Sequence, residues 1–253
     1  ALGTSSTYEL TSYFESDKYQ QTAANSGNPD PTTYAIGSNL SITPFIHGLV
    51  GYWPLNEGSG TTAYDNSGWN NNGSLLDAPT WIQGINNGGL YFTTSTQYVS
   101  ASDYGLQTAS VVPITFTAWI KTSNSGIEQV VSSGGNSAME ANRGGQVFLH
   151  ECTPGDTGTT VNSNINLDDG NWHFIAVSYS TNNNATIFEL DNSNVTVTAN
   201  GQPTSGGSNF LIGDGQCDGN VYTAYPYSLA SARIYKTTLT VAQLQAIYNV
   251  EKP

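Results

Sequence analysis

Charge is what this sequence has least of. Of its 253 residues, 6 are Lys or Arg and 19 are Asp or Glu, so the net charge is -13 while charged residues make up only 10%. A surface of that sign repels the phosphates of nucleic acid and of anionic lipid, which argues against both as partners. Scattered acids also attract divalent cations, although their ordinary role is to hydrate a surface. Long apolar runs are missing too: nothing approaches the roughly 18 consecutive apolar residues of a membrane-crossing helix. The two cysteines, Cys152 and Cys217, form neither a C-x-x-C pair nor a Cys/His cluster, so no familiar zinc site is present. There is no G-x-S-x-G elbow, no Gly-rich phosphate loop with Lys and no H-E-x-x-H. His47, His150 and His173 are not spaced as ligands and read as structural.

What fills the chain instead is Gly, Asn, Ser and Thr, a neutral polar exterior that suits an extracellular protein. The even cysteine count in that setting leaves two readings: a Cys152–Cys217 disulfide closing a long loop, or two unrelated buried thiols. The length fits one large domain with a small appendage. Residues 1–47 differ from the rest, with STYELTSYFESDKYQ as a short strand or strand pair and SGNPDPTTY as an ordered turn. From residue 48 to 253 the text becomes short alternating runs separated by Gly/Asn/Ser clusters, the rhythm of an antiparallel sandwich.

The clearest strands are LVGYW, GGLYFTT, QYVSAS, PITFTAWIKT, EQVVSSG, GQVFLHE, NWHFIAVSYS, NATIFEL, NVTVTAN, SNFLIGD and LASARIYKT. In NWHFIAVSYS, Trp172, Phe174, Ala176 and Ser178 share one face and His173, Ile175, Val177 and Tyr179 the other, so the strand is expected to be central and covered twice. NATIFELDNSNVTVTANG reads as a hairpin turning at Asp191 to Asn194. TVAQLQAIYN carries a capping box, Thr240 with Gln243, and a buried stripe of Leu244, Ile247 and Tyr248. The expected fold is therefore all-β, a two-sheet antiparallel jelly-roll sandwich with a small N-terminal β appendage and one short C-terminal helix.

Within GYWPLNEGSGTTAYDNSGWNNNG, Gly51 to Gly73, there is no Lys or Arg, and the final third is nearly all amide and glycine around Trp69. The stretch divides into a core strand, Tyr52 to Leu55, a turn-rich connection, Asn56 to Tyr64, and a candidate functional loop, Asp65 to Gly73. An indole in such a loop stacks on the apolar face of a pyranose while amides of Asn70, Asn71 and Asn72 bond its hydroxyls, so an uncharged ligand is held without charge. The alternative folds Trp69 back onto the sandwich edge. Trp53, Trp119 and Trp172 alternate within strands and read as core. Tyr222, Tyr225 and Tyr227, near Cys217, form a second aromatic loop, either a ligand surface or a packed loop. The one hint of catalysis is Glu189 and Asp191, carboxylates two apart on a strand. Retaining glycosidases need such groups about 5–5.5 Å apart, but this pair runs into a hairpin turn.

The run L-V-G-Y-W-P-L-N-E-G-S-G-T-T-A-Y-D-N-S-G resembles the first strand and loop of the laminin-G-like jelly rolls of the concanavalin A-like lectin/glucanase superfamily. GLYFTTSTQYVSAS, ITFTAWIKT, GNWHFIAVSYS, IFELDNSNV, SNFLIGD and ARIYKTTLTVAQLQAIYN follow in that family's order. The resemblance extends over about residues 49–250 and implies carbohydrate binding. In related jelly rolls a calcium ion often ties this first loop to a carboxylate near the last strand. That implies calcium at Asp65, with Asn70, Asn71, Asn72 and the Gly73 backbone as companions and turn capping by Asp65 as the alternative. The chain departs from the pattern, because Ala230 and Ser231 stand before Ala232 and Arg233 where relatives often carry an acid. It also departs from the E-x-D-x-E of the superfamily's glucanases, with Ser193 at the fifth position. YELTSYFESDKYQ with YAIGSNLSITPF is similar to the head region of type IV pilin-like or pseudopilin-like proteins. That likeness implies a cell-surface location, filament subunits as partners, and an anchoring hydrophobic helix that this chain lacks, Ala1 then marking a truncation.

The functional expectation is a non-catalytic extracellular module binding glycan or cell-surface polysaccharide, an adhesin or minor subunit of a pilin-like filament. Two alternatives stand beside it: a filament head with no specific ligand, and a degenerate glycoside hydrolase. Exposed rings at Trp69 or the tyrosine cluster favour binding; buried rings favour the structural role.

Overall fold

The computed structural model describes residues 9–13, 33–37, 48–102, 113–126, 128–133, 137–141, 147–151, 159–161, 167–180, 184–189, 193–198, 209–213 and 225–253. In chain order the strands are β1 (Glu9–Tyr13), β2 (Thr33–Gly37), β3 (Leu49–Trp53), β4 (Thr62–Ala63), β5 (Gly73–Leu76) and β6 (Thr80–Ile85). They continue with β7 (Gly88–Phe92), β8 (Tyr98–Ser102), β9 (Ile114–Thr122), β10 (Glu128–Ser133), β11 (Ser137–Ala141) and β12 (Val147–Glu151). The last are β13 (Thr159–Val161), β14 (Trp172–Tyr179), β15 (Asn184–Glu189), β16 (Ser193–Thr198), β17 (Asn209–Ile212) and β18 (Tyr227–Tyr235), followed by the helix α1 (Val241–Glu251).

Two antiparallel sheets form the sandwich. One runs β16-β15-β14-β9-β18-β7-β6, with β3 sharing the outer edge of β18 with β7; the other runs β13-β12-β11-β10-β17-β8-β5-β4. This is the expected jelly-roll architecture. β1 and β2 form a two-stranded sheet of their own, in which β1 pairs with TYAIG.

The central strands alternate as their sequences require. Ile114, Phe116, Ala118 and Ile120 of β9 and Ile175, Val177 and Tyr179 of β14 enter the core between the sheets, where Trp53 meets Phe210 edge-on at 5.6 Å across the sandwich. Trp119, Phe174 and Ala176, on the opposite faces of the same strands, pack with Leu244 and Ile247 under α1. That double cover is why NWHFIAVSYS is apolar on both faces; Trp172 lies only partly buried at its end. The helix carries the capping box of Thr240 and Gln243.

One extra residue changes the reading of β18. Ser231 takes φ +52°, and the pairing with β9 slips between Ala230 and Arg233. A β-bulge of this kind inverts the alternation, so Tyr227 and Leu229 face the core before it, and Ala232 and Ile234 after it. Arg233 lies over the Tyr52 ring, its guanidinium carbon 3.9 Å from the centroid, and pairs with Glu251 of α1. Glu251 also accepts from Ser231 Oγ and, at 2.9 Å, from the Trp119 indole N–H. Burial alone would depress the guanidinium pKa, but the carboxylate beside it holds the group above its already high ordinary value.

Candidate functional site

Between β4 and β5, neighbours in one sheet, residues 65–71 reach over to the other sheet and lie along the edge of β3 that β18 leaves free. Side chains there do what a neighbouring strand would do. The Tyr52 amide donates to Asp65 Oδ1 at 2.9 Å, and the Asn66 amide donates to the Tyr52 carbonyl at 2.7 Å. Asn71 Nδ2 donates to the Val50 carbonyl at 2.8 Å, and the Trp69 indole N–H to the Leu49 carbonyl at 3.1 Å. In return the Trp53 indole N–H donates to the Asn71 carbonyl at 2.9 Å. The free edge of a strand is a liability when left open, and here it anchors a loop.

Asp65 is the centre of that anchor. Its Oδ1 accepts the Tyr52 and Ser67 amides at 2.9 and 2.8 Å, and its Oδ2 accepts the Ser67 hydroxyl and the Asn71 amide at 2.7 and 2.8 Å. A carboxylate offers about four lone-pair positions, and each meets a donor. Asn72 Oδ1 accepts the Asp65 amide at 2.9 Å, Asn70 Oδ1 accepts Asn72 Nδ2 at 3.1 Å, and Gly73 is committed to β5. A Cβ at Gly73 would stand 2.3 Å from Val99 Cγ1, so packing against β8 demands glycine there. Calcium requires six to eight oxygens with lone pairs turned to the ion; this set, as arranged, presents N–H and O–H groups to Asp65 and does not fit one. Among the described residues no cluster of three or more His, Cys, Asp or Glu is placed to hold a metal.

The candidate ligand residues separate. Trp69 is 51% exposed even though its N–H is bonded, so its edge is fixed and much of its ring is open to solvent. Asn70, in the left-handed region at φ +62°, and Asn72 are exposed beside it. Asn71 is a correction: it is fully buried, and its amide serves β3, so it is not available to bond a sugar hydroxyl. Tyr227 is a second correction. Its ring is buried, stacked on Tyr225 at 5.2 Å and Phe92 at 5.5 Å, and its hydroxyl donates to the Gly213 carbonyl at 2.6 Å. Tyr225 is half-buried against the core. Tyr222, Cys152, Cys217, His47 and Asp191 fall outside the described residues, so the disulfide and the Glu189–Asp191 pair stay as sequence expectations. Ser193 and Asn194 belong to β16, paired with Glu189 and Phe188, and so are strand and not turn residues. His173, nearly buried, meets Asp169 at 2.9 Å; hydrogen bonds from His173 and then from Asn171 hold the Asp169 carboxyl down at about 2.

One exposed ring was not anticipated from the sequence. Tyr64 is 56% exposed, and its amide donates to Glu57 Oε1 at 2.7 Å. The signal was available, because Ala63 points inward from β4 and alternation then turns its neighbour outward.

Comparison with known proteins places the fold. The family model for the concanavalin A-like lectin/glucanases superfamily, laminin G type, matches residues 93–245, more than half of the chain. The chain belongs to this superfamily. No curated protein matches the sequence significantly. Among solved structures, the binding domain of Paraclostridial mosquitocidal protein 1 is similar at a TM-score of 0.63 and 12% identity, over 80% of this chain and 52% of that one. Botulinum neurotoxin type C, described as dependent upon interaction with two ganglioside molecules to enter cells, gives 0.59 and 12% over 80% and 51%. Trypanosoma rangeli sialidase in complex with sialic acid gives 0.54 and 13% over 79% and 32%. The superfamily member described here thus spans about half the length of the toxin chains or less of the sialidase, and the likeness is one of fold. The family match begins after the loop on β3, so the loop's role rests on its own geometry.

Proposed function

We propose that this chain is a non-catalytic carbohydrate-binding module that reads glycan at the loop of residues 64–72. The observation that carries the proposal is Trp69, a half-exposed indole held by one edge on a platform of internal hydrogen bonds. A preorganised ring costs little entropy on binding, and it offers a π face for a sugar while Asn70 and Asn72 stand beside it. Membership in a lectin-containing superfamily and fold likeness to toxin binding domains, one of them engaging gangliosides, support the same class. The setting we propose is extracellular, as an adhesin or minor subunit of a pilin-like surface filament, on the strength of residues 1–47.

A glycan array run with and without calcium tests the reading. Retention of a defined glycan set in both conditions is expected. An array with no retained glycan would return the chain to the role of a filament head without a ligand. The likeness to a sialidase favours one further assay, release of sugar from each retained glycan, for which we expect no product.

A further inference from the structure

Two of the large apolar side chains that stand exposed among the described residues, Tyr64 and Trp69, lie on this one loop. They sit at the two ends of a hydrogen-bonded string. Tyr64 is fixed by its amide on Glu57; the next amide, of Asp65, donates to Asn72 Oδ1 at 2.9 Å; Asn72 Nδ2 donates to Asn70 Oδ1 at 3.1 Å; and Asn70 follows Trp69 directly. Behind the string, Asp65 and Asn71 tie the loop to β3. The backbone positions that carry the two rings are therefore set by the loop, their Cα atoms no farther apart than about 17 Å for five residues of chain, with amide groups between them. One pyranose covers one ring face.

We infer that Tyr64 forms a second sugar subsite beside that of Trp69, so that the ligand is an oligosaccharide stretch of two or more residues and not a single terminal sugar. The inference rests on the reading of the loop as a glycan site and adds to it the length of ligand and a residue. Trp69 anchors one sugar; Asn70 and Asn72, flanked by the rings, face hydroxyls along the chain; Tyr64 takes a further sugar. Short ligands then engage Trp69 alone.

The test measures affinity by titration calorimetry for mannose and mannotetraose, N-acetylglucosamine and its β-1,4 tetramer, and galactose, lactose and sialyllactose. Wild type is compared with Trp69→Ala, Tyr64→Ala and Tyr64→Phe. The expected result is that Trp69→Ala weakens binding of short and long forms alike by roughly tenfold or more. Tyr64→Ala should weaken the long form about tenfold and leave the short form unchanged, while Tyr64→Phe keeps both. If Tyr64→Ala lowers the melting midpoint, Tyr64→Gln, which keeps a chain of similar reach without the ring, takes its place. Loss at Trp69 with no effect at Tyr64 overturns the second subsite and leaves the glycan reading standing. Equal loss of short and long forms at Tyr64 also overturns it, because both rings then serve one sugar. Wild type that binds none of the seven overturns the reading and the inference together.

Discussion

Two carboxylates reach the β3–β18 pair from different sides, and they build opposite things. Asp65 receives four neutral donors at the open edge of β3, close to solvent, and lifts a polar loop with two exposed rings. Glu251 is buried at the end of α1, paired with Arg233 and bonded by Ser231 and Trp119, and closes a buried interface between helix and sheet. Tyr52 belongs to both: its amide bonds Asp65 and its ring lies under the Arg233 guanidinium. The lesson is that a saturated carboxylate fixes geometry in either place. Whether the result is a lock or a platform depends on what it leaves facing water.

The largest effect should come from breaking the lock. Glu251→Ala leaves the Arg233 charge buried and unpaired, which typically costs about 3–5 kcal/mol. At the few degrees per kcal/mol expected of a domain this size, calorimetry should show the melting midpoint fall by roughly 10 °C. A fall of only a degree or two would mean that water reaches Arg233 and the two regions are less different than their burial implies.

The loop should be cheaper to disturb. Asp65→Ala leaves the amides of Tyr52, Ser67 and Asn71 without their acceptor, and a partly solvated group of this kind is worth on the order of 1–3 kcal/mol. The midpoint of wild type should be the same in calcium and in chelator, because the Asp65 oxygens already meet donors. A rise with calcium in wild type that vanishes in Asp65→Ala would show the loop rearranging around an ion.

Alkaline pH should separate the regions further. Tyr235, on β18, is buried among the residues under α1, and burial pushes its hydroxyl up to about 12 from an ordinary 10, with the Arg233 charge acting the other way. Below pH 10 the hydroxyl is neutral in folded and unfolded chains alike, so its contribution is fully present. As pH rises from 10 towards 12 the unfolded chain ionises first and stability falls, by on the order of 2 kcal/mol for a shift of this size. Chemical denaturation at pH 9 and 11 should show the loss in wild type and a smaller one in Tyr235→Phe.

Much of the sandwich could be read before the structure, and the exceptions share a cause. β3, β7, β9, β14 and β18 announce themselves by alternation that survives in Trp53, Phe116, Ile175 and Leu229. β5 and β6 carry no such signal: Gly73 reads as the end of the loop, yet it and Gly84 are both strand positions where packing admits no Cβ. Tyr227 reads as a loop tyrosine when β18 begins at Leu229, whereas the parity of the two places it in the core. Glu251 carried no signal at all, since a helix stripe is read from apolar residues and its partner Arg233 turns outward only through the bulge at Ser231. For the loop, composition pointed to Trp69, Asn70 and Asn72, yet the division between Asn71 inside and its neighbours outside is set by β3, some 20 residues earlier.

The central claim is that the ring of Trp69 is held out for a ligand and does little for the fold. The most direct measurement is Trp69→Ala with glycan affinity and melting midpoint read on the same preparation. Loss of a half-exposed ring with one hydrogen bond should move the midpoint by only a few degrees, while affinity for the glycan falls roughly tenfold or more. Removal of a packed tryptophan would instead cost about 3–5 kcal/mol of stability, and a large drop in midpoint with affinity unchanged would contradict the account.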